Sequence, residues 1–295
     1  MPEGIAGPGG DVRQAVQQQT VRGGMPGFQP PPEVPWSMLG PDFIETWGHD
    51  DDGKLKAEHL EVVGQSGSGK SFAIASILQQ RAARWDSAEI AVVTKQADDS
   101  IPLLGWPVAA DVKEVRKYRQ AVFWPQTGAL GEDREKYMEP RIYDLLAALW
   151  VKDANTVIYF DEIGFIEDLS RRLKKMTRMY WREGRSHGIS VIAAKQRPIG
   201  INRDAHSESR WKIVFPPADE GDMKRFAELL GRPADWEPVL RGLDQTQHQF
   251  VIRNSFTKDA FISWVDEPLR PLPSQAHQRP AGVGERLHGR KPAEA

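Results

Sequence analysis

Short apolar runs alternate with segments of helical spacing through the middle of the chain. "HLEVVG" (59–64), "EIAVVT" (89–94) and "QAVFW" (120–124) read as strands. "NTVIYF" (155–160) and "ISVIAA" (189–194) are near-continuous apolar runs, the pattern of strands buried on both faces. "RWKIVF" (210–215) and "QFVIR" (249–253) follow as further strands. Between them, "SFAIASILQQRAARW" (71–85), "YDLLAALWV" (143–151) and "SRRLKKMTRMYWREG" (170–184) carry helical spacing. Strand and helix in alternation predict an α/β fold: a mainly parallel sheet flanked by helices.

Both ends differ from the middle. Residues 1–34 are rich in Gly, Pro and Gln and bury too little apolar surface to offset ordering entropy, so a disordered segment is expected there. "DVRQAVQQQTV" within it is the one stretch that reads as a short helix. Residues 268–295 read as a flexible basic tail carrying Arg270, Arg279, Arg286, Arg290 and Lys291. Residues 35–267 are expected to form the folded domain. The net charge of −2 does not announce a nucleic-acid partner, so any such partner must meet a local patch. The absence of cysteine excludes disulfides, thiolate metal sites and cysteine nucleophiles. The longest apolar run, Leu145 to Val151, falls far below the roughly 20 residues of a membrane span. With no apolar signal-peptide core either, the expectation is a soluble, cytoplasmic protein with no membrane partner.

"EVVGQSGSGKSF" (61–72) has the spacing G-x-x-x-x-G-K-[ST]. The loop comprises Gly64, Gln65, Ser66, Gly67, Ser68, Gly69, Lys70, Ser71 and Phe72. Its glycines let backbone N–H groups converge on phosphate oxygens, and the following helix presents its positive end. Lys70 is expected to reach the β- and γ-phosphates of ATP, and Ser71 to hold Mg²⁺. The plain alternative is a Gly/Ser turn before a helix; the apolar strand on one side and helix on the other favour phosphate binding. Asp161 and Glu162 directly follow the "NTVIYF" strand, at the sheet edge where α/β proteins bind ligands. Asp161 is expected to position Mg²⁺ and Glu162 to polarise an attacking water, against the reading of a simple acidic turn. Gln196, at the tip of the "ISVIAA" strand, is placed to sense the γ-phosphate or that water.

Between Arg171 and Arg185 lie Arg171, Arg172, Lys174, Lys175, Arg178, Arg182 and Arg185, with Glu183 the lone acid. Leu169, Leu173, Met176 and Tyr180 repeat at helical spacing as one apolar stripe, which leaves the charges facing outward. Solvated faces usually mix signs, so this face is read as a contact for nucleic-acid phosphates. "KEVRKYRQ" (113–120) is a poorer second cluster. The tryptophans are scattered without the spacing of a base-stacking platform and are expected to pack in the core or an interface.

The order "HLEVVGQSGSGKS", "VIYFDE", "GRSHGISVIAAKQRP", "RWKIVF" resembles the FtsK/HerA superfamily of P-loop DNA-pumping ATPases over residues 55–255. "VVTKQADDSIPLLGWP" (92–107) resembles the second-strand region of minimal phage or mobile-element members. The resemblance implies a RecA-like core forming a ring, usually a hexamer, with ATP hydrolysed between subunits. It also implies that Gln196 is the sensor and that Arg185 is a finger acting on the neighbour's ATP, with Arg210 the second candidate. The chain departs from the pattern at Thr94-Lys95, where relatives often carry an acid near the Lys, and at Lys195, where Thr commonly precedes Gln. The implied function is an ATP-driven translocase of double-stranded DNA, serving genome packaging or element transfer, with a capsid portal or transfer complex as docking partner. The alternative is a nucleotide-switched assembly or scaffold ATPase that does not pump.

Overall fold

The computed structural model describes residues 28–48, 56–85, 87–97, 104–196 and 203–269. Residues 1–27 of the segment 1–34 expected to be disordered and residues 270–295 of the tail expected over 268–295 lie outside them, as does Arg197-Pro198 of the resemblance motif.

Each strand read from the sequence is present: β1 (His59–Val63), β2 (Ala88–Val92), β4 (Gln120–Phe123), β5 (Thr156–Phe160), β6 (Ile189–Lys195), β7 (Ser209–Val214) and β8 (Phe250–Asn254). Two short strands join them, β3 (Val108–Ala109) and β9 (Ala260–Ser263). The helices are α1 (Trp36–Gly48), α2 (Lys70–Arg84), α3 (Val112–Val115), α4 (Gly131–Leu149), α5 (Ile163–Leu169), α6 (Arg171–Glu183), α7 (Arg203–Glu208), α8 (Glu220–Leu230) and α9 (Pro233–Gly242). One sheet of nine strands runs in the order β3-β4-β2-β5-β6-β1-β7-β8-β9. Pairing is parallel from β3 through β7; β8 runs antiparallel to β7, and β9 antiparallel to β8. The mainly parallel α/β fold is therefore observed.

Helices cover both faces, which is why β5 and β6 read as unbroken apolar runs rather than alternating ones. On one face α1 and α2 pack Trp36, Phe43, Trp47, Ile74 and Ile77 against Leu60, Val62, Val157 and Ile192. On the other, Ile142 and Leu146 of α4 and Tyr180 and Trp181 of α6 pack against Ile158, Phe160 and Val191. Farther along the sheet, α8 and α9 close over Val63, Val214 and Val251. Six of the tryptophans, Trp36, Trp47, Trp106, Trp181, Trp211 and Trp236, are buried here, so core packing is their use.

Helix α1 was not read from the sequence, yet its Trp36, Leu39, Phe43, Ile44 and Trp47 have helical spacing and are all buried. Gly40 and Pro41 inside it disguise the pattern. Gly40 has a packing reason: a Cβ there would lie 2.6 Å from Gln80 Oε1 and 2.9 Å from Trp36 Nε1, so α1 crosses α2 closely at this point. Part of the segment expected to be disordered is described: Val34 is buried, and its amide donates to the Ile262 carbonyl at 2.9 Å.

Trp47 anchors α1. It stacks on Phe43 at 5.8 Å, carries the Arg81 guanidinium 4.6 Å over its ring, and donates from Nε1 to the Glu58 carbonyl at 2.9 Å. Trp47→Ala removes a fully buried ring and leaves that carbonyl and Arg81 without their partners. A loss of about 3–5 kcal/mol is expected in urea unfolding; a loss below about 1 kcal/mol would mean that α1 is dispensable to the core.

Candidate nucleotide-binding site

Strand β1 ends at Val63, and the chain turns through Gly64–Gly69 into α2, which begins at Lys70. The loop's shape requires its glycines. Gly67 and Gly69 have φ of 79° and 95°, a left-handed region that L side chains rarely adopt. Gly64 is required for space: a Cβ would meet Phe215 Cβ at 2.6 Å and Ser68 Oγ at 2.8 Å. The Gly64 amide donates to the Lys195 carbonyl at 3.1 Å, so the start of the loop is tied to the end of β6. Ser71 and Phe72 sit half-buried in the first turn of α2, whose amides point into the loop.

Lys70 folds over the loop and donates from Nζ to the carbonyls of Gly64 and Gln65, the latter at 2.7 Å. Burial pushes its pKa down to about 8; Lys95 adds to the lowering, while Asp161 and Glu162 pull the other way. An ammonium held this way is poorly solvated and ready to meet an anion.

The acidic pair stands two strands away, at the end of β5. Asp161 is buried, accepts a hydrogen bond from Tyr159 Oη at 3.0 Å, and meets Lys95 Nζ at 2.9 Å. Glu162 stands at the N-cap position of α5, makes no side-chain capping bond, and is half-buried. Gln196, exposed at the tip of β6, donates from Nε2 to Glu162 Oε2 at 3.2 Å. The sheet order β5-β6-β1 thus brings together the acidic pair, Gln196 and the phosphate loop along one edge. Sequence reasoning noted Lys95 only within the second-strand resemblance, with no site role, and missed Tyr159, which lies inside an apolar run. The "TK" after β2 was the available signal for Lys95.

The residues fit Mg²⁺. Among the described residues no group of three or more His, Cys, Asp or Glu forms a metal cage. A single buried carboxylate, Asp161, beside a phosphate loop ending in Ser71 is the donor set Mg²⁺ uses when substrate phosphates supply other ligands.

Arg185 lies elsewhere. It is exposed on the 3₁₀ turn Gly184–His187 that leads into β6, where its Nη2 meets Glu208 Oε2 at 3.4 Å. The ends of β6 stand roughly 20 Å apart at strand rise, so Arg185 does not reach the phosphate loop of its own chain. Arg210 starts β7 at the same far edge, paired with Glu58 and lying 4.6 Å over the Phe256 ring.

Helix α6 forms as read, with Ser170 Oγ accepting from the Leu173 amide at 3.1 Å as its N-cap. Its buried stripe is Leu173, Thr177, Tyr180 and Trp181; Met176 is only partly covered, and Leu169 closes α5. The expected stripe missed Thr177, whose hydroxyl is satisfied by Glu167 Oε1 at 3.0 Å. Arg171, Arg172, Lys174, Lys175, Arg178 and Arg182 are all exposed. The face is not of one sign throughout, because Arg172 pairs with Glu139 of α4 at 2.9 Å and lies 3.8 Å over the Tyr143 ring. No helix among the described residues is long and apolar enough to cross a membrane.

No family model and no curated protein matches the sequence. Solved structures do match in fold. The DNA-packaging ATPase B204 of Sulfolobus turreted icosahedral virus superimposes with a TM-score of 0.51 at 14% identity, over 73% of this chain and 98% of that one. The genome packaging NTPase B204 of Sulfolobus turreted icosahedral virus 2, in complex with AMPPCP, gives the same values. The cytoplasmic domain of the type VII secretion ATPase EccC from Thermomonospora curvata matches with a TM-score of 0.52 at 16% identity, over 84% of this chain but 31% of that one. These neighbours are in line with the resemblance read from the motifs, and the chain has the fold of the viral DNA-packaging ATPases.

Proposed function

We propose that this chain is an ATP-driven DNA translocase of FtsK/HerA type, hydrolysing ATP at the subunit interfaces of a ring. The observation that carries the reading is the Gln196–Glu162 hydrogen bond at 3.2 Å, beside Lys70 and Asp161 on one sheet edge. A phosphate loop alone serves many chemistries. A second carboxylate held by a polar residue from the adjacent strand is suited to directing water at a γ-phosphate and to reporting its departure. The packaging role of the viral neighbours, and the AMPPCP complex of one, support ATP as substrate and DNA as cargo.

In this reading the amides of Gln65 to Ser71 and the N-terminal end of α2 cradle the phosphates. Lys70 exchanges its two loop carbonyls for phosphate oxygens. Asp161 and Ser71 would hold Mg²⁺, which supplies positive charge to the β- and γ-phosphates. Glu162 orients the water, and Gln196 contacts either that water or the γ-phosphate. Lys95, paired with Asp161, adds a second cation beside the acidic pair. Arg185 serves the ATP of the neighbouring subunit, because its position at the far edge removes it from its own. DNA phosphates contact α6 through Arg171, Lys174 and Lys175. A capsid portal or transfer complex would dock the ring.

Glu162→Gln keeps the shape of the site but loses the charge that polarises water, so nucleotide should stay bound and unhydrolysed. Filter binding with labelled ATP alongside a phosphate-release assay reads both. Turnover at the wild-type rate would remove Glu162 from the mechanism.

DNA should stimulate ATP hydrolysis, and DNA affinity should fall steeply with salt. Neutralising Arg171, Lys174 and Lys175 should flatten the log–log salt slope by up to about 0.9 per lost phosphate contact. An unchanged slope would move the DNA off α6. Nucleotide-dependent assembly with no DNA stimulation would favour the scaffold reading instead.

A finger acting on the neighbour is worth on the order of 10³ or more in rate. Arg185→Ala should therefore bind ATP and fail to hydrolyse it. Mixing it with Lys70→Ala, itself inactive, creates interfaces that hold one intact loop and one intact finger, so activity should partly return. Mixed rings that stay inactive would assign Arg185 a purely structural part.

A further inference from the structure

A cleft opens beside the phosphate loop on the side away from the acidic pair. Gln65 and Ser68 of the loop form one wall, Pro216 and Ala218 after β7 another, and Gln245 and His248 before β8 the third. Its position follows from the sheet order β5-β6-β1-β7-β8. The γ-phosphate end of a nucleotide is drawn toward β5, where Asp161 and Glu162 sit. The rest of the molecule must then leave the loop toward β7 and β8.

His248 is held at the mouth of this cleft by a turn built for the purpose. The Asp244 carboxylate accepts from the Thr246 amide at 2.8 Å and its hydroxyl at 2.6 Å, and the Asp244 carbonyl accepts from the Gln249 amide at 3.0 Å. The Gln249 side chain in turn accepts at Oε1 from the Asp244 amide at 2.9 Å. So braced, His248 takes a left-handed φ of 54°, which is uncommon for a residue with a side chain. That conformation lays it against the loop: a Cβ on Gly69 would meet His248 Cβ at 2.9 Å and Cγ at 3.0 Å. An exposed ring is thus fixed at the end of the loop opposite the hydrolytic groups, facing Pro216 and Ala218 across a gap.

We infer that this cleft receives the nucleoside half of the nucleotide, and that His248 is a specificity-determining residue whose ring stacks on the base. The inference rests on the nucleotide reading of the phosphate loop and adds to it the part of the ligand that the loop does not read. The Gln245 amide, on the same wall, is placed to bond polar edges of the base or the ribose.

Tripolyphosphate separates the two readings, because it engages the loop and has no base. The full-length chain is titrated calorimetrically with ATPγS and with tripolyphosphate, both with Mg²⁺. The wild type should bind ATPγS the more tightly. His248→Asn accepts the left-handed backbone and removes the imidazole; it should weaken ATPγS about tenfold, the scale of a lost base–ring stack, and leave tripolyphosphate within about twofold. His248→Gly, unstrained at that φ, should behave the same way. Unchanged ATPγS affinity in both variants would put the base elsewhere. Equal losses for both ligands would mean that His248 only supports Gly69. A wild-type chain that binds neither ligand would overturn the phosphate-loop reading itself.

Discussion

The hydrogen bond from the Gly64 amide to the Lys195 carbonyl fixes the geometry on which the site depends. It continues the parallel pairing of β1 with β6, in which Val63 lies opposite Lys195. Through it the first residue of the phosphate loop and the residue before Gln196 become neighbours. On the other side of β1, the Phe215 amide donates to the Val63 carbonyl and the Phe215 side chain fills the space beside Gly64. A shift of one residue in either pairing would turn every side chain of β1 to the opposite face and pull the loop out of line with the acidic pair. The site is thus a property of three adjacent strands more than of the loop motif.

The same arrangement explains what could be read from the sequence. Strands buried on both faces lose their alternation and become apolar runs, which are easy to see, and the loop motif follows one of them. Asp161, Glu162 and Gln196 were legible because they end such runs. The contact of Gln196 with Glu162 was not, because a strand order in sequence does not place two side chains within bonding distance. The α1 helix was hidden by Gly40 and Pro41, whose reason is a close crossing with α2 that only the fold supplies. Helices α8 and α9 pack on the side of the sheet where β8 turns antiparallel, and the reading of strands alone left them out. On α6 the buried stripe included Thr177, a polar residue whose partner Glu167 comes from another helix. His248 carries no motif at all; its place beside the loop comes from a backbone conformation and from Gly69, which it approaches.

Charge inside the sheet is the other feature that the pattern concealed. Glu61, a charged residue in the middle of β1, is buried. Around it stand His206 Nδ1 at 3.4 Å, Lys195 Nζ at 3.7 Å and Lys212 Nζ at 3.9 Å. Burial alone would raise the carboxyl pKa; the His206 hydrogen bond and the two lysines outweigh it and hold the group below its usual range. Burial lowers both lysines in turn. Such a cluster contributes little net stability, but removing the Glu61 carboxylate would take from two desolvated cations their main counter-charge. It also joins β1, β6, β7 and α7, so the strand that ends in Gln196 is clamped by charge as well as by its ladder.

The two ends of the described domain close on each other. Ser37, at the start of α1, bonds through its amide and its hydroxyl to the Asp266 carboxylate, 229 residues away in sequence. The Val34 and Trp36 amides donate to the backbone carbonyls of Ile262 and Trp264. These contacts span nearly the whole domain, and the entropy of closing so long a loop must be met before they give anything back. The start of α1 therefore depends on the last stretch of the described domain to leave the ribosome. A nascent chain that has already made the loop after β1 still lacks the segment that fastens the start of α1, so that end of the helix is secured only when the last described strand and the residues after it arrive.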